Sequence, residues 1–205
     1  MSQTILGIDL GSYSVKALRV SRHMQELQIL DYIEEPLNPH ARLTHEEQVR
    51  GPLEKIAANP ALKADVVCVS FPGYHLSSRV VDLPFTSTKK ISQVIDFEIE
   101  GQIPFSIEEI LTDYCVLEHS ANQSRALCVY TNEELFKKYY DSLAALHLDP
   151  KYFGADITDL PAIAQIARVP TAGYYAICDI GHSKPTGAIM KGKELKYVRT
   201  IGVGG

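Results

Sequence analysis

One short pattern occurs twice in the chain: Gly7-Ile8-Asp9-Leu10-Gly11-Ser12 near the start and Cys178-Asp179-Ile180-Gly181-His182-Ser183 near the end. In each copy an apolar segment (Ile5 to Ile8; Tyr174 to Cys178) delivers an Asp-x-Gly turn with a serine just beyond. Residues of β character then resume (Val15 to Val20; Ala188 to Met190). Two β-hairpins with the same unusual turn are expected, and a chain that repeats a hairpin is constrained to repeat a topology. The turn has a specific physical use. Glycine permits close backbone approach, exposed N–H groups and a hydroxyl can hold phosphate oxygens, and the carboxylate can hold a hydrated cation. Two such turns facing each other would clamp a nucleotide.

Composition narrows the alternatives. With 205 residues, 45% hydrophobic and 22% charged, the chain can bury an ordinary globular core. A net charge of −5 and no basic run longer than Lys89-Lys90 or Lys137-Lys138 argue against a nucleic-acid partner. Cys68, Cys115, Cys128 and Cys178 lack metal spacing, and all but Cys115 sit in apolar runs where they read as small buried hydrophobes of a reducing compartment. Asp9 interrupts the first apolar segment, so no signal peptide is read, and no apolar run reaches the ~20 residues of a membrane span. The end, Ile201-Gly-Val-Gly-Gly205, reads as the edge of a fragment.

Three strands are expected at Thr4 to Asp9, Ser14 to Ser21 and Leu27 to Glu34, as an antiparallel meander ended by Pro36 and Pro39. Thr44-His-Glu-Glu47 is a capping box that opens a helix with Val49, Leu53 and Ile56 on one side, with Pro52 as a threat to its continuity. Asp65 to Ser70 has the uniform apolarity of a strand covered on both faces. A strand over Arg79 to Phe85 precedes an amphipathic helix started by Thr86-Ser87-Thr88, with Ile91, Ile95, Ile99 and Ile103 at i+4 and Asp96, Glu98 and Glu100 opposite. Strands at Thr112 to Glu118 and Arg125 to Tyr130 follow, and then a second capping box, Thr131-Asn-Glu-Glu134, opens a helix carrying Leu135, Tyr139, Leu143 and Leu146. After Asp149-Pro150 come a short strand near Tyr152-Phe153, a helix over Asp156 to Ala167, and the second hairpin. The expected organisation is an α/β domain at 1–85, an inserted small α+β subdomain at 86–150, a connecting strand and helix at 151–172, and the opening of a second α/β domain at 173–205.

The two turns lie 170 residues apart at equivalent topological places, and Lys16 follows Gly11 by five residues, where its ammonium can reach back to a phosphate as a point charge. Asp9-Leu-Gly-Ser-Tyr-Ser-Val-Lys16, the insertion and the second turn resemble the actin-like ATPase (ribonuclease H-like) superfamily, which includes actin, sugar kinases, heat-shock chaperones and the division protein FtsA. The resemblance implies ATP and Mg2+ as ligands. The nucleotide-binding set is then Asp9, Gly11, Ser12, Tyr13, Lys16, Asp179, Gly181 and Ser183, with Asp9 and Asp179 meeting the metal through water.

A narrower resemblance rests on Leu83-Pro84-Phe85 and on Phe97-Glu-Ile-Glu-Gly-Gln-Ile-Pro-Phe105-Ser-Ile-Glu-Glu-Ile-Leu-Thr-Asp113-Tyr. These segments are similar to the PilM family of type IV pilus assembly proteins and to the related GspL cytoplasmic domains of type II secretion. What this implies is a cytoplasmic adaptor of an inner-membrane platform rather than a turnover enzyme. Such an adaptor would bind the cytoplasmic tail of a single-pass membrane partner in a groove bordered by Val80, Leu83, Phe85, Ile103 and Phe105, or contact the assembly or secretion ATPase. The short lead before Ile5 leans toward the GspL-like branch by family analogy alone.

Two features limit the nucleotide reading. Pro185 removes a backbone donor close to the second turn, and the family's adenosine-binding portion lies beyond the second hairpin, so weak or absent nucleotide binding is expected of this chain. Hydrolysis would need a residue that orients water, and Asp156 and Asp159 stand where one would be sought, although Asp156 at a helix start reads first as an N-cap. A sugar or acetate kinase would need a polar substrate pocket that the sequence does not display, and an FtsA-like filament protein would need a membrane-targeting helix downstream. No HxH or HxxxH pairing supports zinc, and Ser70-Phe-Pro-Gly73 lacks the flanking glycine of a nucleophile elbow.

Overall fold

A computed structural model of the chain describes residues 3–24, 26–169 and 172–201, so the glycine-rich end at 202–205 lies outside the described residues. The expected meander is present as β1 (Gln3–Leu10), β2 (Ser14–His23) and β3 (Glu26–Pro36), each antiparallel to the next. Helix α1 (His45–Ala58) then leads to β4 (Val66–Phe71), which pairs in parallel with β1. A later strand, β8 (Pro150–Ala155), pairs in parallel with β4 and completes a five-stranded sheet in the order β3-β2-β1-β4-β8.

The first capping box forms. The Glu47 carboxylate accepts the Thr44 N–H at 2.8 Å and the Thr44 hydroxyl at 3.0 Å. Helix α1 runs unbroken through Pro52 and buries Val49, Leu53 and Ile56 against the sheet. The magnitudes explain why: an interior proline costs about 3 kcal/mol, while each fully buried aliphatic side chain contributes about 1.5–3 kcal/mol. Three of them outweigh one proline.

The smaller unit is built from β5 (Ser77–Leu83), α2 (Thr88–Glu100), β6 (Ile110–His119) and β7 (Ser124–Asn132), with antiparallel sheet order β5-β7-β6. Alternation along β7 sends Ala126, Cys128 and Tyr130 to α2, where Ile91, Ile95 and Ile99 meet them, and sends Leu127 and Val129 to the opposite face. That opposite face is covered by Ile157 and Leu160 of α4 (Asp156–Ile166). Ile103 falls beyond the end of α2 and packs half-buried on the same core. Ser87 is the α2 N-cap residue, but its side chain makes no cap hydrogen bond.

Two elements sit differently from the boundaries drawn at 85 and 150. Strand β5, placed on the first domain by sequence, hydrogen-bonds in the small sheet. Helix α3 (Glu133–Ala144), placed in the insertion, delivers Tyr139 and Leu143 to the core of the five-stranded sheet. The second capping box also fails to form. Asn132 rather than Thr131 caps α3, accepting the Leu135 N–H at 2.9 Å, while the Thr131 hydroxyl donates to the His75 carbonyl at 3.0 Å. Asn132→Ala is therefore expected to destabilise the chain by about 1 kcal/mol and Glu134→Ala to change it little, as measured by urea unfolding.

The second hairpin is β9 (Tyr174–Ile180) and β10 (Pro185–Lys191), extended by β11 (Glu194–Thr200) in the order β11-β10-β9. Ala188 and Val198 face α4, which is thereby held between this sheet and the small one. Cys178 does not follow its buried reading; it lies exposed, whereas Cys128 is buried and Cys68 and Cys115 are half-buried. Among the described residues no helix is long and apolar enough to cross a membrane.

Candidate functional site

The two turns face each other across a cleft of about 430 Å³. Its lining includes Asp9, Gly11, Ser12, Tyr13 and Lys16 from the first hairpin and Asp179, Gly181 and Ser183 from the second, so all eight nucleotide-binding candidates are brought together. The Tyr13 and His182 rings stand 5.5 Å apart between the turns. Hairpin register explains Lys16. It is the cross-strand partner of Asp9, so both side chains project on the same face of the sheet, and its Nζ lies 3.4 Å from Asp9 Oδ2.

Space requires the first glycine and leaves little room at the second. A Cβ on Gly11 would lie 2.8 Å from the Ser14 carbonyl oxygen, and one on Gly181 would lie 3.2 Å from that of Lys184. Pro185 does not spoil the second turn. It is the first residue of β10, and its carbonyl accepts the Ile201 N–H at 2.9 Å, leaving the turn itself to residues 181–184.

Several cleft residues were not anticipated. Glu34 reaches in from β3, accepting from the Ser14 hydroxyl at 2.6 Å and the Tyr32 hydroxyl at 3.1 Å, and these bonds hold its carboxyl below the usual range. Lys184 extends from the second turn to the Tyr74 carbonyl at 3.5 Å, and its place inside the repeated motif was a signal available in the sequence. Asp156 is not an N-cap. Ala155 holds that position, Asp156 is the first residue of α4, and its carboxylate packs on Gly73, where any Cβ would overlap its oxygens. Its Oδ1 is buried without a hydrogen-bond partner. Burial pushes its pKa up to about 6, opposed by the backbone N–H groups of Ile157 and Gly73 and reinforced by Asp179 and Asp9. Asp159 lines no part of the cleft; it packs against Gly154, and burial raises its pKa as well.

The cleft therefore offers four carboxylates (Asp9, Glu34, Asp156, Asp179) against two ammonium groups (Lys16, Lys184). That excess of negative charge suits a polyphosphate carrying a divalent cation better than a bare anion. Among the described residues no group of three or more His, Cys, Asp or Glu side chains converges on a direct metal site.

The five groove candidates do not line one groove. Leu83 is part of the core under α2, Phe85 and Ile103 pack half-buried on it, Val80 points to the α4 side and Phe105 is exposed. A different groove of about 370 Å³ lies between the two units. It is bordered by residues 111–115 of β6, by 153–155 of β8, and by Phe71 and Phe136. Val129, Tyr130 and Thr131 of β7 line it as well, and the five consecutive residues of β6 show that it runs along that strand. β6 and β8 are both edge strands of their sheets.

The model of the family described as type IV pilus assembly protein PilM matches residues 7–205. Among solved structures, the chain is similar to a PilM–PilN type IV pilus biogenesis complex, with TM-score 0.83 and 17% identity over 98% of this chain and 62% of that one. It is also similar to the cytoplasmic domain of EpsL, an inner-membrane component of the type II secretion system of Vibrio cholerae, with TM-score 0.59 and 13% identity over 97% of this chain and 71% of that one. A Bacteroides thetaiotaomicron protein of actin-like ATPase fold and unknown function gives TM-score 0.63 and 10% identity over 99% of this chain and 71% of that one. The chain thus spans 62% of the length of the PilM chain it matches. The family match replaces the lean toward the GspL-like branch: the chain belongs to the PilM family of type IV pilus assembly proteins and has the actin-like ATPase fold.

Proposed function

We propose that this chain is the nucleotide-holding adaptor of an inner-membrane pilus assembly platform, cytoplasmic and joined to the membrane through a partner. The observation that carries the reading is the groove lined by stretches of β6 and β8, each an edge strand of its sheet. An extended peptide laid along a strand edge gains main-chain hydrogen bonds, and the apolar lining supplies pockets for alternate side chains. The occupant we assign is the cytoplasmic tail of a single-pass membrane protein. The PilM–PilN complex to which the chain is similar supports this choice.

In the cleft between the turns, Gly11, Ser12, Tyr13, Gly181 and Ser183 would line the phosphates of ATP, Lys16 and Lys184 would meet their charge, and Asp9 and Asp179 would hold Mg2+ through its waters. The bound metal would supply charge neutralisation between the phosphates and the carboxylates.

Titrating the chain with the tail peptide of the membrane protein encoded beside it tests the groove. Leu111 is half-exposed on its border. Leu111→Arg is expected to weaken the peptide by about tenfold or more, as loss of a buried interface anchor does, with the unfolding midpoint unchanged. Equal affinity in the variant would remove the groove from the account.

A further inference from the structure

Behind the first turn the buried Tyr139 gathers three half-buried rings, His45, His75 and Tyr74, the last of which also lines the cleft. His45, the first residue of α1, places Nε2 2.9 Å from the Gly11 carbonyl oxygen and Nδ1 2.7 Å from the Tyr139 hydroxyl. His75 Nε2 lies 3.2 Å from the same hydroxyl. The Tyr74 ring stands edge-on to His45, with centroids 5.3 Å apart.

The donors and acceptors fit together in one way when both imidazoles are neutral. A carbonyl oxygen only accepts, so His45 Nε2 carries the hydrogen, and the bare Nδ1 accepts from the Tyr139 O–H. The Tyr139 oxygen is then free to accept from His75 Nε2–H. The surroundings favour neutral rings. Burial lowers the pKa of both histidines, the His45 ring and Lys184 disfavour a charge on His75, and the positive end of α1 disfavours one on His45. Glu46 is the acidic group that opposes this, together with the Gly11 carbonyl at His45.

The consequence reaches the cleft through the peptide plane. A trans peptide points its C=O and the following N–H in opposite directions. With the Gly11 oxygen turned inward to His45, the Ser12 N–H is turned outward, on the side where Ser12 lines the cleft. The far end of the turn is fixed as well, since Leu37 N–H donates to the Tyr13 carbonyl at 2.8 Å. We infer that His45, oriented by Tyr139, is the positioning residue of the first turn: it aims the Ser12 N–H at the phosphate of a bound nucleotide. This inference rests on the nucleotide reading of the cleft for its ligand, but not for its geometry.

Two measurements on the whole chain decide it. Without ligand, imidazole nitrogen NMR is expected to show His45 neutral and protonated on Nε2 at pH 7; the Nδ1-protonated tautomer would overturn the inference. Amide hydrogen exchange across residues 11–14 is expected to speed up by about tenfold in His45→Ala, the equivalent of one net hydrogen bond. His45→Gln, which keeps a donor, should restore it to within about threefold, and Tyr139→Phe, which frees the ring without removing it, should fall between. Unchanged exchange in His45→Ala at unchanged global stability would overturn the inference. With magnesium and ATP added, affinity should follow the same order of variants. A wild-type chain that binds no ATP would contradict the nucleotide reading, while the tautomer and the ligand-free exchange would still decide the role of His45.

Discussion

Asp156→Asn is expected to make the ligand-free chain more stable at neutral pH, by up to about 3 kcal/mol. The carboxyl is buried on Gly73 with one oxygen unpartnered, and burial raises its pKa from 3.8 to about 6. Each pKa unit corresponds to about 1.4 kcal/mol of difference between the protonation states. The folded chain takes up this proton below about pH 6, whereas the unfolded chain does so only below about pH 4. Stability from this group is therefore fully present below pH 4 and is lost as pH rises through 6. Urea unfolding at pH 7.5 should show the gain in the Asn variant, and at pH 3.5 the two proteins should be alike. A variant less stable than wild type at pH 7.5 would mean that the carboxylate is held by partners and is no burden. Magnesium should narrow the difference at pH 7.5, because a nearby cation favours the ionised form. The same variant addresses turnover: brisk ATP hydrolysis by the wild type that Asp156→Asn abolished would contradict the adaptor reading.

Gly11→Ala should be the most damaging single change to the cleft. The added Cβ would meet the Ser14 carbonyl at 2.8 Å, and because this atom is backbone, the turn must move rather than a side chain. Overpacking of this kind costs about 1–3 kcal/mol of stability. The displaced turn would also lose its alignment with the second one. Affinity for ATP with magnesium is expected to fall by about a hundredfold, the loss of one or two charge-assisted hydrogen bonds. Calorimetric titration measures it. An Ala variant that lost stability but bound ATP within about twofold of wild type would show that the turn does not hold phosphate.

Much of this architecture could be read from the residues, for identifiable reasons. The hairpins announce themselves through repeated Asp-x-Gly turns, and α1 and α2 through an i+4 apolar spacing that matches the helical period. What failed to show was position in space. Strand β5 has the same texture whichever sheet it joins, and its pairing with β7 is a long-range choice that the sequence does not display. Leu83, Phe85 and Ile103 pack in or on the core under α2, and an apolar side chain looks the same in a core and in a groove. The groove we propose for the tail lies against edge strands, whose hydrogen-bonding groups belong to the backbone and leave no mark on the sequence. Asp156 turned on a single residue of register: at the N-cap it would have satisfied the helix, and one position later it points into the cleft. Gly73 was dismissed as part of a failed nucleophile motif, when its missing side chain is what admits that carboxylate.

We propose an extended tail lying in the groove lined by β6 and β8 while the cleft between the turns holds nucleotide. Hydrogen exchange of the chain with and without the tail peptide of its membrane partner tests it most directly. Protection is expected to concentrate at residues 111–115 and 153–155, with little change across α2. Tail-dependent protection confined to the α2 face around Phe97 and Phe105, with 111–115 exchanging as in the free chain, would contradict it.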